Sequence, residues 1–218
     1  MSILSLKSIS RRYSGDGFFQ PTYIAFRNEV AELIHFLRGT NNLGLDVGCG
    51  SGRYAYLLNC LGLKCIGVDS SMKALKKARK FNLDLVCASA TALPFRDKSF
   101  RMIICIELLH HFEDVYFHTV LKEIRRMLKR NGCFILDAKN TFNVILAIQY
   151  QIADSSLYRL ISRNVFKVKG YLNRLDFSVS KITAIPWPIP FPNLTKFLAP
   201  KILMITYLVG DSGDDIQE

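Results

Sequence analysis

The sequence predicts an α/β protein whose mostly parallel sheet is covered by helices on both faces. Short apolar runs, expected as strands at 43–47, 64–68, 84–87, 102–106 and 133–137, alternate with amphipathic stretches expected as helices at about 52–61, 71–81 and 115–130. Strands this short and this uniformly apolar suit a doubly wound sheet buried on both sides. A Gly-rich turn, Gly48-Cys49-Gly50-Ser51-Gly52, joins the first strand to the helix after it. Right-handed crossovers then bring every loop that follows a parallel strand to one edge, where ligands bind.

Pro21 to Arg38 reads as an amphipathic helix with Ile24, Val30, Leu33, Ile34 and Leu37 available for the core, ended by Gly39-Thr40-Asn41-Asn42. The residues before it, 1 to 18, are polar and expected to be loose. Leu43 to Val47 is the first strand, and Arg53 to Leu61 is a helix with Tyr54, Leu57, Leu58 and Leu61 on one face. Glycine suits the turn between them because, lacking Cβ, it tolerates positive φ and lets backbone approach a ligand. The second strand, Lys64 to Val68, ends in Asp69, about 20 residues past the turn, where a carboxylate can accept hydrogen bonds from both ribose hydroxyls of an adenosine. A dinucleotide loop, G-x-G-x-x-G, would need glycine at position 53, where this chain has Arg53; the pattern present is acid-x-Gly-x-Gly-x-Gly, led by Asp46. Beyond Asp137 the composition shifts. Asn140 to Ile161 is apolar and aromatic, either a lid over a pocket or an extra packing helix, and Gly170 to Asp176 finishes another helix. Phe177 to Ile185 and Lys201 to Val209 are β-rich, and Pro186 to Pro192 between them excludes helix and central strand alike. The tail from Asp211 is acidic and expected to be disordered.

Composition bounds the function. The 218 residues fit one domain able to bury a substantial core, and 50% hydrophobic content excludes a disordered chain. No apolar stretch approaches the ~18 residues of a membrane span. Met1 to Arg12 has no apolar core followed by a small-residue cleavage site, so secretion is not expected. The six cysteines (Cys49, Cys60, Cys65, Cys87, Cys105, Cys133) form no C-x-x-C pair, and four fall in expected strands, where free cysteine acts as a small hydrophobe. Neither a metal cluster nor a disulfide framework is expected, and a reducing cytoplasm is the natural setting. The net charge of +11 permits a polyanionic partner such as RNA. Much of that excess, however, lies in Lys73 to Lys80 and Lys122 to Arg130, on helices where charge marks a solvated face.

Five segments in order resemble the class I S-adenosylmethionine-dependent methyltransferases: the Asp46 to Gly52 loop, Asp69-Ser70-Ser71-Met72, Ser89-Ala90-Thr91-Ala92-Leu93-Pro94-Phe95, Phe100 to Phe112 with Leu109-His110-His111-Phe112, and Glu123 to Lys129 followed by Gly132. The resemblance spans 43 to 136 and implies a Rossmann-like, mostly parallel seven-stranded sheet with an antiparallel last strand. It divides a single domain into a helical cover (1–42), a donor-binding core (43–137), a helical insertion or lid (138–176), C-terminal strands (177–209) and a tail (210–218). It departs from the family at Ser89, where an Asp usually meets the adenine amino group, at Arg101, and at Arg130-Asn131, where left-handed Asn can stand in for Pro-Gly.

The cofactor implied is S-adenosyl-L-methionine. By resemblance, Asp46 and the backbone of Gly48, Cys49 and Gly50 hold its methionine part. Asp69 holds the ribose with Ser70 and Met72 beside it, Ser89 and Ala90 border the adenine, and Cys105 lines the loop after strand four. Tyr23 and Arg27 are further donor contacts by family analogy, or ordinary helix-surface residues. His111, with Glu107 nearby, is the catalytic candidate, as base or acceptor-orienting group, since a neutral imidazole can take a proton near neutral pH. The expected acceptor is a small, partly hydrophobic molecule methylated at O, N or C. A tRNA wobble uridine is the alternative, on Leu93-Pro94-Phe95 and the His-His-Phe run; a silent binding module and a nicotinamide-dependent oxidoreductase are the other classes.

Overall fold

A computed structural model describes residues 21–37, 42–139, 163, 165–185 and 201–209. The expectations for residues 1–18, the 140–161 segment, the proline-rich 186–192 loop and the tail lie outside the described residues. The elements are α1 Pro21–Leu37, β1 Leu43–Val47, α2 Arg53–Cys60, β2 Lys64–Asp69, α3 Met72–Ala78, β3 Asp84–Cys87, β4 Phe100–Cys105, α4 Asp114–Met127, β5 Leu128–Lys139, α5 Val165–Asn173, β6 Phe177–Ile185 and β7 Lys201–Leu208. The seven strands run in the order β3-β2-β1-β4-β5-β7-β6. The first five pair in parallel, while β7 lies antiparallel to both β5 and β6.

Alternate residues of each strand feed two cores. On one face Ile104, Ile135, Leu203 and Ile205 pack with α1 and α2, whose aromatics interlock: Phe26 meets Tyr54 edge-on at 5.0 Å and Tyr23 lies 5.5 Å from it. On the other face Leu45, Val47, Ile103, Phe134 and Leu136 pack with Phe117, Val120, Leu121 and Ile124 of α4 and with Val168 and Leu172 of α5. Helix α1 is rotated from its expected setting. Tyr23, Phe26, Val30 and Ile34 form the buried stripe, whereas Ile24, expected in the core, is 37% exposed. Tyr23 is therefore no helix-surface residue; the period i, i+3, i+7, i+11 places it against Tyr54.

Helix α4 ends at Met127, three residues before the expected stop, and β5 begins at once. The register with β4 slips between Phe100 and Met102, where Asn131 takes φ +54, the left-handed turn its side chain tolerates. Arg126 explains why the Glu-x-x-Arg spacing matters here. Its guanidinium donates to the carbonyls of Leu93 and Phe95 and pairs with Asp97 and Glu123, and Glu123 in turn accepts from Leu93 N at 3.0 Å. One side chain thus clamps the loop between β3 and β4 onto α4. Arg126→Ala should cost about 1–2 kcal/mol, because partly exposed charge-assisted bonds are lost and Glu123 is left without its cation. Urea denaturation checks this, and proteolysis should open the chain near residues 93–97 first; an unchanged midpoint and cleavage pattern would remove the clamp.

Candidate active site

The glycine turn is held from three sides. Gly48 N and Cys49 N both donate to Val68 O, at 2.8 and 2.9 Å, which fastens the turn to the end of β2. From beneath, Asp46 accepts from Ala55 N of α2 at 3.1 Å. From the ligand edge, Asp69 accepts from Gly50 N through Oδ2 and from Ser71 N through Oδ1, both at 2.8 Å. Gly48, Gly50 and Gly52 have φ of +75, +53 and +81. Around Gly48 and Gly52 a methyl group would strike Leu108 or Leu83 and Ala78, whereas beside Gly50 it would meet nothing within 4 Å. Gly50 therefore bares its backbone to open space next to a half-buried carboxylate whose oxygens have lone pairs left.

Asp46 is 1% exposed, and burial pushes its pKa up to about 7, against the Ala55 N–H and the Arg53 charge, with Asp69 adding to the rise. A raised acid holds in the folded state a proton that the unfolded chain has released. Its contribution to stability is thus lost as pH rises from about 4 to 7, on the order of 4 kcal/mol in all. Asp46→Asn should abolish that part of the slope, so that its stability relative to wild type increases across this window. Urea titrations at stepped pH read the difference, and parallel curves for the two proteins would refute it.

The remaining expected donor residues surround this turn. Ser70 and Met72 are exposed just past Asp69, and Ser71 caps α3 by accepting from Ala74 N. Ser89 is exposed, with its hydroxyl 2.8 Å from that of Thr91 and accepting from Thr91 N, so serine here closes its own turn. Ala90 is half-buried behind it. Cys49 is buried with its sulfur against Gly67, and Cys105 lies wholly inside the α4-side core, where only its backbone is at the strand's end.

The turn after β4 sits directly on the glycine turn, Leu108 filling the space a side chain at Gly48 would need. Glu107 takes φ +63, its N–H donates to Asp137 Oδ1 at 2.7 Å, and its carboxylate is bound by Lys201 of β7. Burial works against the Glu107 charge, but the Lys201 bond and charge outweigh it and hold the pKa below the usual range. His110 and His111 follow in a short helical turn with rings 4.2 Å apart. His111 is exposed; His110 faces a small cavity lined also by Leu109, Phe117, Leu136, Asp137, Ala138, Arg163 and Val168. Arg163, 5% exposed, pins this turn by donating to Phe112 O and Asp114 while its guanidinium covers the Phe117 ring. Asp137, Glu107, Lys201 and Tyr54 form the polar group the sequence reading passed over, except for Glu107. A lone carboxylate closing the apolar run Cys133 to Leu136 was its signal, the same one that Asp46 gives in β1.

Residues 45–136 match a family model described as a methyltransferase domain. Residues 45–136 are thus similar to a methyltransferase domain, and the sheet around them has the fold of solved S-adenosylmethionine-dependent methyltransferases. Bacillus subtilis YcgJ, an uncharacterized methyltransferase, is 35% identical over 99 residues, 42% of this chain and 38% of YcgJ. Its crystal structure superposes with a TM-score of 0.63 at 18% identity, covering 84% of this chain and 99% of that one. A ubiquinone biosynthesis O-methyltransferase of Pelagibacter ubique is 31% identical over 102 residues, 44% of this chain and 41% of the relative. Magnesium protoporphyrin IX methyltransferase of Synechocystis, solved with bound S-adenosylmethionine, shares the fold at a TM-score of 0.61 and 14% identity, over 86% of this chain and 82% of that one. Matches to the first curated relatives span between 38% and 55% of their length.

S-Adenosylmethionine, the methyl donor of this methyltransferase family, supplies an electrophilic methyl group when bound. The open space at Gly50 and the spare acceptor capacity of Asp69 fit its ribose and methionine. Among the described residues no group of histidine, cysteine and carboxylate side chains could hold a metal ion, and no helix is long and apolar enough to cross a membrane.

Proposed function

We propose that this protein methylates a small, partly hydrophobic acceptor, using Asp46, the backbone of Gly48, Cys49 and Gly50, Asp69, Ser70, Met72, Ser89, Ala90 and the Cys105 strand end to hold the donor. The observation that carries the reading is Asp69 bridging Gly50 N and Ser71 N beside an open backbone. On the acceptor side, similarity over part of the chain to a relative named for ubiquinone biosynthesis favours a molecule with hydrophobic parts. His111 at the exposed rim is the acceptor-orienting group in this proposal. Native mass spectrometry of the purified protein tests the donor assignment: a bound mass matching S-adenosylmethionine or S-adenosylhomocysteine supports it. Micromolar NAD binding with neither adenosyl ligand taken up would overturn it. His111→Gln should leave S-adenosylhomocysteine affinity unchanged, and a loss of donor affinity would move His111 out of the acceptor site.

A further inference from the structure

Two buried polar side-chain atoms among the described residues lack a hydrogen-bond partner, Asp137 Oδ2 and Tyr54 Oη. Their residues are 2% and 4% exposed. More than nine in ten buried polar atoms in native proteins are paired, and each orphan costs about 1–3 kcal/mol. Two orphans in one neighbourhood therefore mark the place of a missing partner.

They share a face. Asp137 pairs across the sheet with Leu203, so its side chain stands on the α1–α2 side, where Tyr54 of α2 packs under Tyr23 and Phe26. Asp137 is fixed by one oxygen, Oδ1, which takes the Glu107 N–H; Glu107 begins the turn that lies on Gly48. The orphans thus lie at the carboxyl edge of the sheet, one strand over from the strand whose end adjoins the glycine turn.

Resting on the methyltransferase reading, we propose that the acceptor presents a hydroxyl to these two atoms, donating to Asp137 Oδ2 and accepting from Tyr54 Oη, and that Asp137 takes the hydroxyl proton as the methyl arrives. The acceptor oxygen gains the bond to the methyl carbon, the sulfur keeps the electron pair of the bond that breaks, and the proton ends on Asp137. The products are a methyl ether, S-adenosylhomocysteine and a neutral carboxyl. An oxygen has two lone pairs, one for the Tyr54 hydrogen and one for the methyl group. A neutral amine has one and an ammonium none, so neither meets both demands.

The charges around the pair agree with these roles. Burial keeps the Tyr54 phenol protonated and a donor; the Arg53 guanidinium over its ring opposes this, and Glu107 and Asp137 reinforce it. Burial raises Asp137 to about 6; Lys201 works against the rise and the Glu107 charge adds to it, while His110 acts on Glu107 from the same turn. The group is therefore ionised at neutral pH yet close enough to neutrality to hold a proton.

Calorimetry with the protein saturated by S-adenosylhomocysteine tests this, using phenol and its methyl ether, anisole, as probes. Phenol should bind wild type more tightly than anisole, its affinity rising with pH through about 6. Asp137→Asn should lower phenol affinity about tenfold or more and flatten that pH dependence, with anisole and S-adenosylhomocysteine within about twofold of wild type. Tyr54→Phe, which keeps the ring packing, should weaken phenol as well. Equal binding of phenol and anisole by wild type, or no phenol binding at all, overturns the inference without involving any variant. So does an unchanged phenol affinity in a folded Asp137→Asn protein. If wild type takes up phenol but no S-adenosylhomocysteine, the methyltransferase reading fails instead.

Discussion

Asp69→Ala should weaken S-adenosylhomocysteine binding by roughly ten- to a hundredfold, about 1.5–3 kcal/mol, the scale for charge-assisted hydrogen bonds. The expected loss has two sources. Hydroxyls of the ribose lose an ionised acceptor, and the N–H groups of Gly50 and Ser71, each 2.8 Å from the carboxylate, lose the group that aims them. Asp69→Asn separates these, since an amide oxygen can keep one backbone N–H but no charge, and it should fall between wild type and the alanine variant. Calorimetry measures both. Wild-type affinity in Asp69→Ala would mean that the ribose lies elsewhere and would dissolve the donor site drawn around this residue.

The glycine turn and the carboxylates around it were legible because they act through chain geometry. Glycines after a strand, an acid before them and an acid closing the next strand have few structural reasons to occur together, and the fold brings Gly50 and Asp69 within hydrogen-bond distance. Strand alternation likewise placed the parallel strands within a few residues, because a two-sided core leaves short apolar runs in the sequence. What the sequence concealed depends on rotation and on distant partners. The setting of α1 hung on whether Tyr23 or Ile24 faced inward, and what decided it, the Tyr54 ring, comes from another element. Arg126 matched a motif, yet its bonds to Leu93 and Phe95 carbonyls cross more than 30 positions, beyond any local pattern. The polar group of Asp137, Tyr54, Glu107 and Lys201 draws on four elements, and its residues looked like strand end and core face when taken singly.

A pair of alanine substitutions in the glycine turn should part folding from binding. At Gly52, φ is +81 and a methyl group would come 2.7 Å from Leu83 Cδ1 and 2.9 Å from Ala78 Cβ. Left-handed strain of about 1–2 kcal/mol and overpacking against two side chains then add to roughly 2–4 kcal/mol of lost stability. At Gly50, φ is +53 but the methyl group would meet nothing within 4 Å, so only the left-handed strain remains, about 1–2 kcal/mol. Binding should run the other way. The space beside Gly50 is the space next to Asp69, so Gly50→Ala should lower S-adenosylhomocysteine affinity by about tenfold or more, because the methyl group stands where the donor must approach backbone. The Gly52 variant, measured where it is still folded, should bind within a few-fold of wild type, since its methyl group points into the α3 packing. Thermal melts and calorimetry on the two proteins decide the matter. Should Gly50→Ala bind S-adenosylhomocysteine as tightly as the parent, the open side of the turn is not a ligand cradle, and the glycine there serves only the left-handed bend.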